Sequence, residues 1–158
     1  MVNHVARPRV GANVSPYEMA APVRRTVDPQ LFARDPYAFY LIALEILRSA
    51  DPGDLSPTQR HHYAIDFCIE SVRKGGLEQF FQAASPARIE ATTAALSALG
   101  KQTASGVLLD ALRQWNEGVT SLRALNVRFG ELLSDVQDTL FKHMSTHEAE
   151  YVDYERKG

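Results

Sequence analysis

The chain has 158 residues, 45% of them apolar and 23% charged, with a net charge of −2. That size and balance specify one globular domain with a core of its own, and the near-neutral total excludes the basic excess of a typical nucleic-acid binder. Cys68 is the single cysteine, which excludes an intrachain disulfide, and neither a signal-like segment nor an apolar run near the roughly 20 residues of a membrane span is evident, so a cytoplasmic protein is expected.

Residues 1–34 read as an extended or partly disordered arm. Pro8, Gly11, Pro16, Pro22 and Pro29 interrupt any regular helix or sheet pairing there, and contacts with the body are expected through Tyr17, Met19, Leu31 and Phe32. The arm holds five arginines against Glu18 and Asp28. Residues 35–148 read as a helical domain and 149–158 as a tail. Helix starts are legible: Asp35-Pro36, Ser56-Pro57 and Ser85-Pro86 each place a side-chain oxygen that can accept an orphan N–H just before a proline that has none to lose. Gln59 completes a capping box with Ser56, Gly100 suits a helix C-terminus, and Thr103 is the expected cap of the helix that follows.

Apolar residues then recur at helical period. The stripes run through Ile89, Leu96 and Leu99, through Ala104, Leu108 and Trp115, and through Phe129, Val136, Leu140 and Met144. No alternating β-branched run is present. The expected fold is all-α, a compact bundle of five to six helices with short linkers. They lie near 36–50, 56–74, 77–83, 86–99, 103–116 and 127–147.

Between the second and third of these lies "RKGGLEQFF", residues 73–81. Gly75 is expected to end a helix in a left-handed conformation, with Gly76 allowing a tight reversal. Leu77, Phe80 and Phe81 then return to the core, and Gln79 is expected to bond nearby backbone. The pair is not a phosphate loop, because neither glycine-rich phosphate-binding pattern surrounds it and no strand precedes it.

Other polar residues each have a plainer role beside the functional one. His143 and His147 stand at i, i+4, a spacing that can hold a metal, but without the glutamate of a metalloprotease helix. His61 and His62 are adjacent and point about 100° apart on a helix, so they do not share an ion. Cys68 sits in an apolar stripe and reads as a small buried hydrophobe, and Trp115 reads as core. Asp66 and Glu70 share a helix face: Asp66 is expected at the surface, and Glu70 is expected to brace the turn near Gly76. Residues 131–155 carry seven acidic side chains against Lys142 alone. Among them Glu131, Asp135, Asp138, Glu148 and Glu150 form a candidate partner-facing set.

"IESVRKGGLEQFF", followed by "IEATTAALSALG" and "LLDALRQW", resembles the DNA mimic protein family. Glu70, Gly75, Gly76, Gln79, Phe80 and Phe81 match its signature. Gly100 matches the end of its alanine- and leucine-rich helix, and Leu122, Leu125, Asn126 and Phe129 match its closing element. Lys74, Leu77 and Ala83 depart from the pattern, and the resemblance covers about residues 36–147. It implies a helical domain without a cofactor. It also implies an acidic homodimer that imitates DNA and occupies the binding surface of a helix-turn-helix transcription regulator. No partner-binding residue is carried by the motif itself. The expectation is therefore a non-enzymatic protein-interaction module, with a protein and not nucleic acid or membrane as partner. Two alternatives stay open on sequence: a small enzyme or metal-binding protein built on Glu70, Asp66, His143 or His147, and nucleic-acid binding through the arginines of the arm.

Overall fold

The computed structural model describes residues 20–156. Pro8, Gly11, Pro16, Tyr17 and Met19 of the arm lie outside the described residues. In chain order the elements are β1 (Arg25–Val27), α1 (Leu31–Arg34), α2 (Tyr37–Ser49), α3 (Pro57–Ala83), α4 (Pro86–Ala98), α5 (Gln102–Asn116), α6 (Arg123–Thr146) and β2 (Val152–Tyr154). Short 3₁₀ turns occupy Pro52–Asp54 and Glu148–Glu150. The all-α expectation holds. α3 is the central element, packed against α2, α4, α5 and α6.

Burial follows the sequence stripes. Ile65, Leu77 and Phe80 of α3 are fully buried with Leu108 of α5 and Leu140 of α6, and Leu96 of α4 and Phe129 of α6 are nearly so. Each such side chain contributes roughly 1.5–3 kcal/mol by leaving water. The Ser56 capping box forms as expected: Ser56 Oγ accepts the Gln59 N–H, and Gln59 Oε1 accepts the Ser56 N–H, both at 3.2 Å. Ser85 caps α4 through the Arg88 N–H.

Thr103 is not the cap of α5. That helix begins at Gln102, with Lys101 in the cap position and no side-chain bond. The reason lies in how α4 ends. Gly100 has φ 75°, its N–H donates to Ser97 O, and the Lys101 N–H donates back to Leu96 O. This closure satisfies the last carbonyls of α4 and delivers the chain directly into the next helix.

A two-stranded parallel sheet, unforeseen from the sequence, joins the segments read above as arm and tail. Arg25 pairs with Val152 and Val27 with Tyr154. Val27 and Val152 face the core. Three-residue strands offer no alternation long enough to read in advance.

The stretch 73–81 divides α3 into two helical segments, as the sequence suggests, with Gly75 and Gly76 non-helical between them. Gly75 is extended (φ −162°, ψ 24°), and Gly76 takes φ 77° with ψ −171°. The left-handed residue is thus Gly76, not Gly75. A Cβ at Gly76 would lie 2.7 Å from Glu78 Oε2 and 3.0 Å from both amide atoms of Asn126. At Gly100, also left-handed, a Cβ would meet nothing within 4 Å. Alanine at either position carries the intrinsic left-handed cost of about 1–2 kcal/mol. Gly76→Ala must in addition displace Glu78 and Asn126, so urea denaturation should show it clearly more destabilised than Gly100→Ala. Equal losses would mean that the space at Gly76 is not constrained.

Candidate functional site

Two polar clusters organise the bundle, and the candidate partner-facing acidic set lies outside both. The first surrounds Gly76. The Leu77 N–H donates to Asn126 Oδ1 at 2.7 Å, so Asn126 caps the second segment of α3 from a distant helix. Asn126 Nδ2 donates to Glu78 Oε2 at 2.8 Å, and Glu78 Oε1 accepts the Leu122 N–H at 2.9 Å, capping the start of α6 in return. Burial opposes the charge on Glu78, but hydrogen bonds from Asn126, Leu122 and its own N–H hold its carboxyl below the ordinary range. This tertiary cap explains why α6 begins at Arg123, four residues earlier than its apolar stripe suggested.

Glu70 does not brace this turn. It pairs with Arg48 at 3.4 Å and with Arg73 at 3.6 Å. Asp66 is not a surface charge: at 6% exposure it accepts two hydrogen bonds from Arg48, at 2.9 and 3.0 Å. Arg48 stands in the last turn of α2 and reaches across to α3, so a basic residue distant in sequence decides both roles. Gln79 packs against Gly75, its Cβ 2.9 Å from where a Cβ at Gly75 would stand, and makes no backbone bond among the described residues. Phe80 and Phe81 are buried as expected. Cys68 is buried, and desolvation pushes its thiol far up, which keeps it protonated and inert.

The second cluster holds His62, His143, His147 and Tyr151. His62 is fully buried, with Nδ1 2.5 Å from the Tyr151 hydroxyl and Nε2 2.7 Å from His143 Nδ1. His143 and His147 stack with ring centroids 4.2 Å apart, and His147 Nδ1 donates to the His143 carbonyl at 2.8 Å. The i, i+4 pair is therefore committed to ring stacking and hydrogen bonding. Among the described residues no group of three or more His, Cys, Asp or Glu is placed to hold a metal ion. Sequence spacing set His143 beside His147 but gave no sign that His62, 81 residues away, would join them.

Of the acidic set, Glu131, Asp135 and Asp138 are exposed on α6. Asp135 pairs with Lys101 at 2.6 Å. Glu148 and Glu150 are half-buried: Glu148 accepts from the Tyr154 hydroxyl and Glu150 from the Ser56 hydroxyl. Elsewhere an apolar groove of about 450 Å³ opens between the end of α3, α4 and α5, lined by Phe81, Ile89, Leu109, Leu112 and Trp115. Trp115 thus lies at the rim of the core and not wholly within it. Among the described residues no helix is long and apolar enough to cross a membrane.

The family model described as DMP19-like protein matches residues 53–157. The chain belongs to the DMP19-like family. Searches of curated proteins and of solved structures return no match. The DMP19-like region contains α3 to α6 and β2, and with them both the Asn126–Glu78 caps and the histidine cluster. Removing the cap should cost stability: Asn126→Ala leaves the Leu77 N–H and part of the Glu78 carboxylate unpaired, a loss of about 1–3 kcal/mol in chemical denaturation. Glu78→Ala combined with Asn126→Ala should cost less than the two losses added, because the pair acts as a unit. Strict additivity would show the two residues to be independent.

Proposed function

We propose that this DMP19-like chain is a non-enzymatic interaction protein that binds a DNA-binding protein, in the cytoplasm, by presenting carboxylates where DNA presents phosphates. The family match carries the reading. The surface supports it locally. Glu131, Asp135 and Asp138 follow one another at i, i+4 and i+7, so they lie on one side of α6 over a rise of roughly 10 Å. That rise is the axial length of about three nucleotide steps along one strand. Glu148 and Glu150 continue the acidic charge past the end of the helix, their geometry fixed by Tyr154 and Ser56.

The overall field is modest. Arg123, Arg128 and Lys142 are exposed on the same helix, and Lys101 engages Asp135. A homodimer that brings two such rows together would double the acidic footprint and raise the local field without raising the charge per chain. The partner class that fits is a helix-turn-helix transcription regulator, whose basic surface is shaped for phosphates. Within this reading residues 35–148 form the acting body, and the described parts of the two flanking segments pair beside it as β1 and β2.

Affinity capture from cell extract tests the proposal. The wild-type chain should retain a basic DNA-binding protein at about 0.1 M salt and release it near 0.5 M, as screened carboxylate contacts require. The double variant Glu131→Lys/Asp138→Lys should retain at least about tenfold less. Its stability should stay within roughly 0.5 kcal/mol of wild type, since both positions are exposed. Equal capture by both proteins would remove α6 from the interface.

A further inference from the structure

The histidine cluster sits where the two ends of the described chain are fastened to the bundle. Gln59, fully buried, accepts the Val23 N–H at 2.9 Å and donates from Nε2 to both Val23 O and Glu150 O at 2.7 Å. Ser56 Oγ donates to the Glu150 carboxylate at 2.7 Å. Tyr151 follows directly, buried, its ring lying against that of His62 and edge-on to Phe39. Beyond it β2 pairs with β1.

We infer that His62, Tyr151 and His143 form an acid-released clasp, in which protonation of His62 frees the segment Glu148–Tyr154 together with the β1 strand that it holds.

A neutral imidazole offers one donor and one acceptor, which the Tyr151 hydroxyl and His143 Nδ1 satisfy in either tautomer. An added proton turns both ring nitrogens into donors, which the Tyr151 oxygen and His143 Nδ1 can still accept, so the cost is the full charge placed on a completely buried ring. Among the described residues no carboxylate bonds the ring, and the nearby ones are directed at other partners. Asp66 of α3 is held by Arg48, Glu150 by Ser56, and Glu148 by Tyr154. The other titratable neighbours repel the charge: His61 on α3 itself, and His143 and His147 on α6. Arg60 and Lys142 add no anion. Burial, followed by those three histidines, accordingly pushes His62 down to about 3. His143 is lowered in the same direction, by burial first.

The charged ring must therefore be hydrated by moving a neighbour. α3 and α6 are long helices anchored over their whole length, whereas Tyr151 lies between two three-residue elements. The C-terminal segment therefore yields first. The direction with pH is fixed by linkage. The closed form binds the proton poorly and the open form binds it near the ordinary value of 6.5. Closure is fully favoured above that value and is lost as pH falls from there toward about 3.

Amide hydrogen exchange on the full chain, corrected for intrinsic rates, tests this. The reporters are Arg25, whose N–H donates to Tyr151 O, and Glu155, whose N–H donates to Val27 O. Their opening equilibrium should rise about eightfold between pH 7 and pH 5.5. Amides of Leu96 and Leu108 should not follow. His62→Gln, which keeps a donor and an acceptor but does not titrate, should abolish the rise. An unchanged rise in that variant overturns the clasp, as does equal opening at Leu96 and Leu108. Should the variant fail to fold, NMR of the wild-type His62 ring decides: shifts of a neutral ring down to about pH 5 while the clasp is closed support it. A ring that charges near 6.5 with Arg25 and Glu155 still protected overturns it.

Discussion

α3 can serve as the centre of this bundle only because its backbone turns at Gly75 and Gly76. Without the break, the segment Leu77–Ala83 would continue straight on from the first, and Leu77, Phe80 and Phe81 could not reach the interior that they fill. A glycine break alone would leave the new helix start with unpaired N–H groups and no fixed direction. Asn126 and Glu78 supply both. Each caps the start of the other's helix, so the bend in α3 and the entry to α6 are one structural decision. The buried face of α6 (Leu125, Phe129, Val136, Leu140) is aligned on the core from that point, and its outward face, with Glu131, Asp135 and Asp138, is turned to solvent by the same constraint.

This geometry separates stability from function along the chain. The polar groups with the most demanding surroundings lie in the core or at its edge: Gln59 between the chain ends and His62 between Tyr151 and His143 are buried, Asp66 is buried under Arg48, and the Asn126–Glu78 caps are half-buried. Buried polar networks of this kind are costly when broken, and they select one arrangement of helices over near alternatives. The outward face of α6 presents the carboxylates of Glu131, Asp135 and Asp138 on a long helix. The proposed function uses that surface as a fixed pattern of charge, in keeping with the DMP19-like family membership.

Much of the fold was legible in the sequence because its signals are local. The serine–proline caps at Ser56 and Ser85, the helical stripes and the glycine at the end of α4 each announce an element within a few residues of itself. What could not be read depends on distant partners. Glu70 stands close to the turn in sequence, yet its charge goes to Arg48 and Arg73, and the bracing falls to Asn126, 50 residues beyond Gly76. Asn126 belongs to the closing motif, but nothing near it in sequence ties it to Leu77. Asp66 shares a helix face with Glu70, and only Arg48, from another helix, accounts for its burial. His62 appeared as half of an adjacent pair, and only the crossing of α3 and α6 gave it His143 and Tyr151. The two strands are too short to carry a pattern of their own.

The central claim, that the chain works from its exterior in the place of DNA, is tested most directly by competition. A regulator recovered by the chain would be bound to a labelled DNA duplex, and the protein would be titrated in while anisotropy is followed. The account predicts that the label is displaced and that no complex contains all three components. A stable ternary complex, with DNA still bound, would contradict it.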